Sequence, residues 1–187
     1  MSNQIYISVL RGINVSGKRL IKMEALAQVY AQLGFSAIQT YVQSGNVVFT
    51  APTRPTAEVA QAISDAIATH FGFDVPVLVF DLSTWENLLE TNPFKNNPTC
   101  KETDLYVTLL TSPKHQPDEQ TLQAKARPDE TLHLFPEWLY LHCPTGYGQT
   151  KLTTTFFEKQ YGCIATTRNV KTIRALHELA LRTAPNA

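Results

Sequence analysis

The sequence predicts an α+β protein of two ferredoxin-like units of βαββαβ type, the second degraded and followed by extra C-terminal helices. In residues 1–82, the periods of strands and helices alternate in the order βαββαβ. A similar alternation recurs in residues 83–187, but only three of its strands are clear. A chain of 187 residues is long enough for two such units, although no internal sequence repeat relates them.

The first unit begins with a β-rich run at residues 4–10, whose side chains alternate between two faces. Residues 11–20 follow as a loop that contains two glycines. From Ile21 onward, apolar residues recur at intervals of three and four, which predicts a helix that stops at Gly34.

The rest of the first unit is a hairpin, a helix and a strand. Residues 38–42 and 46–50 are β-rich and are joined through Ser44 and Gly45, which predicts a tight hairpin. Apolar spacing between Val59 and His70 marks the helix, and residues 75–80 form the last strand. This order places two helices on one face of a four-stranded sheet.

The second unit is predicted from shorter patterns. A loop rich in asparagine and proline occupies residues 92–100. In chain order, the predicted elements are a helix at 81–91, a strand at 105–110, a helix at 118–125, a hairpin of strands at 131–135 and 138–143, and helices near 151–160 and 169–182.

The hairpin at residues 131–143 has two distinct faces. A two-residue turn places the aromatic and histidine residues together as cross-strand pairs, and it places the leucines on the opposite face, which we expect to be core. Such an aromatic face could stack the bases of single-stranded nucleic acid, or it could pack against the first unit or a partner protein. The pairs are Phe135 with Trp138, His133 with Tyr140 and Thr131 with His142; the leucines are Leu132, Leu134, Leu139 and Leu141.

Charge and composition exclude several classes of protein. Sixteen Lys and Arg balance sixteen Asp and Glu, so no global field attracts nucleic acid or an anionic membrane. The amino terminus does not have the pattern of a signal peptide, and no apolar run approaches the roughly 20 residues that span a bilayer. Three cysteines without a C-x-x-C pair are typical of reduced thiols in a cytoplasmic protein.

The loop at residues 11–22 carries four cations and no acid. Its glycines leave backbone N–H groups accessible just before a predicted helix, which suits an anion. The spacing does not match a P-loop, because Gly17 and Lys18 are followed by Arg19. The alternative is a solvated basic turn.

A second basic stretch precedes the last predicted helix. Thr167 or Asn169 can cap that helix. Arg168 would then lie at a positive helix terminus, where a cation needs a carboxylate or a ligand phosphate nearby. No familiar catalytic motif occurs, and a metal site at His133 and His142 lacks a third ligand.

Three blocks of sequence, LRGINVSGKRLIKMEAL, LGFSAIQTYVQSGNVVF and YGCIATTRNVKT, resemble a mainly bacterial family of uncharacterised proteins, domain of unknown function 1697. The resemblance covers nearly the whole chain and implies two ferredoxin-like units. It supplies no activity, cofactor or catalytic residue. The positions where its blocks coincide with the predicted loops are the candidate ligand-binding residues: Arg11, Asn14, Lys18, Tyr41, Ser44, Asn46, Lys151, Arg168 and Asn169.

Two hypotheses about function follow. The first is that a basic cleft between the two units binds, or binds and transforms, a small phosphorylated or otherwise anionic ligand. The second is an interaction module that binds single-stranded nucleic acid or a protein through the aromatic face. The position of the basic residues in glycine-containing loops favours the first. The oligomeric state and any cofactor stay open.

Overall fold

A computed structural model describes residues 2–183 of the chain, so the predicted outer limits of the two units, residues 1 and 187, lie outside it. The protein is α+β, with two four-stranded antiparallel sheets. One compact unit comprises Met1–Asn87 together with Ala175–Ala187, as far as these are described, and the other comprises Leu88–Arg174. The predicted division lay between residues 82 and 83.

The first unit contains a sheet with the strand order β2-β3-β1-β4. Strand β1 is central and pairs antiparallel with both β3 and β4. Helices α1 and α2 are each amphipathic, and their buried residues join one core with the sheet. Its elements are β1 (Asn3–Leu10), α1 (Met23–Gln32), β2 (Ser36–Tyr41), β3 (Asn46–Pro52), α2 (Thr56–Phe71), β4 (Val77–Asp81) and α3 (Leu82–Glu90), the last of which continues into the second unit.

Alternation along β1 decides which side chains face those helices. Tyr6 and Leu10 lie in the core that the helices cover, whereas Ile7 and Val9, on the opposite face, are also fully buried. Aromatic rings fill the centre of the core, where Phe49 stacks on Phe35 with ring centroids 4.9 Å apart. Both faces of this sheet are therefore apolar and buried.

The second unit has the strand order β6-β7-β5-β8, so its central strand is again the first in sequence. Its elements are β5 (Leu105–Thr111), α4 (Glu119–Gln123), β6 (Thr131–Leu134), β7 (Trp138–His142), α5 (Thr154–Tyr161) and β8 (Ile164–Asn169), followed by α6 (Val170–Thr183), which extends into the first unit. Short 3-10 turns lie at Glu102–Asp104 and Tyr147–Gln149.

The prediction that the second unit is degraded is wrong. Strand β8 pairs with β5 over six residue pairs and completes a fourth strand. The prediction also placed more than one helix after the last strand. Helix α5 instead lies between β7 and β8, so α6 is the one helix that follows the last strand in the described chain.

The predicted register and core face of the 131–143 hairpin are confirmed. Thr131 pairs with His142 and His133 with Tyr140. Leu132, Leu139 and Leu141 are buried in the core of the second unit, and Leu134 packs against it half-buried. Cys143 is fully buried in the same core, and this burial, with Glu130 nearby, raises the pKa of its thiol to about 12.

Within residues 2–183, none of the helices combines the length and the apolar character needed to span a bilayer.

Candidate functional site

The basic loop after β1 folds into a miniature hairpin. Val15 and Lys18 form an isolated antiparallel bridge, the N–H of Lys18 donates to the carbonyl of Val15 at 3.0 Å, and Asn14 N–H donates to Arg19 O at 3.1 Å. Ser16 and Gly17 both have positive φ, 49° and 72°, as a two-residue type I′ turn requires. The loop is thus an ordered turn with its own hydrogen bonds.

Asn14 holds this hairpin against the neighbouring β2–β3 turn. Its Nδ2 donates to Ile21 O at 2.9 Å and to Gln43 O at 2.7 Å, while its Oδ1 accepts from Ile21 N at 2.9 Å. Its φ of 54° lies in the left-handed region, which asparagine tolerates better than most residues. Asn14, predicted as a ligand-binding residue, therefore has a structural role.

Replacing Asn14 by alanine is expected to lower the free energy of unfolding by about 2 kcal/mol. Three hydrogen bonds are lost, each worth roughly 0.5–1.5 kcal/mol, and alanine is less tolerant of positive φ. Urea unfolding measures the change. Asn96→Ala is the control, because Asn96 is an exposed asparagine and should change the stability by less than about 0.5 kcal/mol. If Asn14→Ala lowers the free energy of unfolding no more than Asn96→Ala does, Asn14 does not hold the hairpin in place.

The β2–β3 turn is also a closed hydrogen-bonded structure. Asn46 is fully buried and its Nδ2 donates to Tyr41 O and to Ser44 Oγ, both at 2.9 Å. The carbonyl of Gly45 accepts from Leu10 N at 2.8 Å, which ties the turn to the end of β1. Three of the predicted ligand-binding residues, Tyr41, Ser44 and Asn46, therefore build this turn.

The four cations of the basic loop lie on or near the miniature hairpin and are at least partly accessible. Lys18, Arg19 and Lys22 are exposed, and Arg11 is half-buried, with its N–H donating to Pro76 O at 2.9 Å. Within the part of the chain that the structure describes, no hydrogen bond engages the N–H groups of Ser16 and Gly17. Helix α1 begins at Met23, so these N–H groups belong to the turn and not to a helix terminus.

In the second unit, Arg168 lies within a strand. It is in β8, opposite Val107, and its Nη1 donates to Thr166 Oγ1 at 2.8 Å and to Thr167 O at 2.9 Å. Burial lowers the pKa of its guanidinium to about 10. Arg168 directly precedes Asn169, the cap of α6, so the helix starts where it was predicted, but Arg168 itself is part of β8.

The other two candidates of the second unit have simpler positions. Asn169 Oδ1 accepts from Thr172 N at 2.8 Å and so caps α6, as predicted. Lys151 is exposed, next to the buried Thr150. Of the nine predicted residues, six lie in the first unit and three in the second.

Two buried polar groups in the second unit were not predicted. Thr108 and Thr154 each place a hydroxyl within 3 Å of Thr167 Oγ1, at 2.8 and 2.9 Å, and Tyr147 donates to the same oxygen at 3.0 Å. Glu130 is 2 % exposed and its Oε2 accepts from Arg127 N and Thr150 Oγ1. The consecutive Thr166 and Thr167 were the available signal for the first group, and Glu130 had none.

The aromatic face of the 131–143 hairpin is covered. Tyr140 is 0 % exposed and donates its hydroxyl to Leu88 O at 2.6 Å. Trp138 is also buried, and the ring of Phe94 lies between His133 and His142, with centroid distances of 5.3 and 5.8 Å. The central ring of this face is therefore not accessible to a base, which weakens the nucleic-acid hypothesis.

Comparison with known proteins identifies relatives of this chain but no activity. The model of a family described as a protein of unknown function (DUF1697) matches residues 3–140, which leaves the block at 166–172 outside the match. The solved structure of conserved bacterial protein SP0830 from Streptococcus pneumoniae is similar, with a TM-score of 0.70 and 22% identity over 96% of this chain and 99% of that chain. At that identity the similarity concerns the fold alone. No curated protein matches the sequence.

Proposed function

The chain belongs to the DUF1697 family of proteins of unknown function, and we propose that it binds a small phosphorylated or otherwise anionic ligand through the miniature hairpin of its first unit. The observation that carries the proposal is the combination of exposed Lys18 and Arg19 with two unbonded N–H groups on one ordered turn, followed by exposed Lys22 directly before α1. Cationic side chains and turn N–H groups are the donors that phosphate oxygens prefer.

The rigidity of the turn supports this proposal. A loop that must be ordered when a ligand binds costs affinity, whereas Asn14 already holds this turn through three hydrogen bonds. No acidic residue precedes Glu24, so no carboxylate from residues 2–23 competes for the cations. The turn is therefore already ordered, and its cations have no competing carboxylate from these residues, before an anion binds.

Arg168 of the second unit supports a role for an anion there as well. Its guanidinium is desolvated enough for its pKa to fall to about 10. Its Nη1 is held by Thr166 Oγ1 and Thr167 O, so the orientation of the guanidinium is fixed. We propose Arg168 as a second anion-binding residue, because an anion close to a fixed, desolvated guanidinium favours its charged form.

The arrangement of both units is also part of the proposal. We infer that each is ferredoxin-like, because the βαββαβ order and a central first strand occur in both. In such a unit, the loop after the first strand leaves from the middle of the sheet. A basic turn at that position is accessible without disturbing an edge strand.

The test is a calorimetric titration with pyrophosphate. Replacing both Lys18 and Arg19 by alanine is expected to weaken binding about tenfold or more, since each charge-assisted hydrogen bond contributes roughly 1.5–3 kcal/mol. The control is Lys95→Ala with Lys101→Ala, which removes the same charge from exposed positions in the second unit. Equal losses in both double variants would show attraction to net charge instead of a site.

A single Arg168→Ala variant separates the two proposed anion positions. If Arg168 binds a second pyrophosphate, the number of bound ligands should fall. An unchanged number would exclude Arg168 and leave the proposal for the first-unit turn to be decided by the Lys18 and Arg19 variants.

A further inference from the structure

A cavity of about 520 Å³ opens in the first unit, beside the beginning of β1. Asn3 and Ile5 of β1 and Thr50 of β3 line one side, and the first turns of α3 line the other. Ile5 and Thr50 are paired across the sheet, so their side chains share one face. This volume is within the range of small-molecule sites.

The polar lining of this cavity includes Asn3, Gln4 and Thr50, which can donate or accept hydrogen bonds, and its charge is negative. Glu86 is the one charged residue of its lining, and a carboxylate only accepts. Ser83 Oγ already donates its hydrogen to Asp81 Oδ1 at 2.9 Å, so toward a ligand this hydroxyl acts as an acceptor. Apolar surface comes from Ile5 and Leu82.

Few groups of the protein compete with a ligand for the Glu86 carboxylate. Its partner is His177, whose Nε2 lies 3.6 Å from Glu86 Oε1, beyond hydrogen-bond distance. Elsewhere in residues 2–183, Glu86 forms no hydrogen bond or ion pair. The Glu86 side chain is 45% exposed, so a ligand can reach it from solvent.

We propose that this cavity binds a small protonated amine, with its ammonium group on Glu86 and Ser83 and its apolar part against Ile5 and Leu82. The site is independent of the proposed anion site. The cavity lies at the start of β1 and the basic turn follows its end, so the eight-residue strand separates them by roughly 25 Å.

The experiment titrates isotope-labelled full-length protein with n-butylamine near neutral pH and follows the backbone amide signals. Signals of residues 3–5 and 82–86 should shift, and butanol and butyrate at the same concentrations should shift them much less. Glu86→Gln should weaken butylamine binding about tenfold or more, because the ammonium loses a charged acceptor.

Two further variants make the result specific. Glu58→Gln removes an exposed carboxylate of α2 that does not line the cavity, and should change the affinity less than twofold. Glu86→Lys should abolish butylamine binding and favour butyrate instead. Equal binding of butanol and butylamine, equal losses in Glu86→Gln and Glu58→Gln, or shifts that lie elsewhere in the protein would each overturn the proposal.

Discussion

Replacing Gly45 by alanine is expected to destabilise the protein by about 2–5 kcal/mol. An alanine Cβ at this position would lie 2.7 Å from both Ile13 Cδ1 and Leu10 Cβ, closer than carbon atoms can approach. Leu10 and Ile13 are core residues, so neither can move aside without overpacking, which costs roughly 1–3 kcal/mol. The φ of +75° adds about 1–2 kcal/mol of backbone strain for any residue with a Cβ.

Gly17→Ala separates the steric part from the backbone part. Gly17 has nearly the same φ, +72°, but no atom lies within 4 Å of the position that an alanine Cβ would take there. Its substitution should therefore cost only about 1–2 kcal/mol. Urea unfolding of both variants gives the comparison, and similar losses would mean that the contact of Gly45 with Leu10 and Ile13 does not constrain the fold.

Replacing Leu139 by alanine is also expected to destabilise the protein by about 2–5 kcal/mol, because three buried carbon atoms are lost and a cavity remains. Leu139 is fully buried in the middle of β7, between Thr108 of β5 and Leu134 of β6. A residue with strands on both sides has little freedom to collapse into the space. The expected loss is therefore well above that of a surface change.

Thr131→Ala is the control for Leu139→Ala on the same hairpin. Thr131 is exposed on β6 and should change the free energy of unfolding by less than about 0.5 kcal/mol. Thermal and urea unfolding measure both variants. A Leu139→Ala loss of less than about half a kcal/mol would show that the leucine face does not form the core.

The first unit could be predicted almost element by element because its patterns are unambiguous. Apolar spacing of three and four marked α1 and α2, and Ser44 with Gly45 marked the hairpin turn. In the second unit, β8 was missed. Its segment 164–169 contains Thr166, Thr167 and Asn169, which are also typical helix-capping residues. Because these residues were interpreted as helix caps, the strand was not predicted.

The candidate site was harder to predict, because the roles of its residues depend on loop geometry. Asn14, itself at a positive φ, reaches the carbonyl of Gln43, which is 29 residues away in the sequence and beyond α1 and β2. Sequence spacing contains no information about such a contact. The basic character of the loop could be predicted from composition, but which polar residues are structural could not.

The central position of the first strand has a consequence for synthesis on the ribosome. Strand β1 leaves the ribosome before both strands that pair with it, which end at Pro52 and Asp81. Synthesis proceeds at about 5–20 residues per second. Strand β1, with Ile7 and Val9, is therefore without its second partner strand for on the order of ten seconds. The compact unit that contains β1 also includes residues from Ala175 onward. The unit that contains β1 is thus completed only after residues 88–174 have been synthesised, and its apolar central strand lacks part of its packing until then.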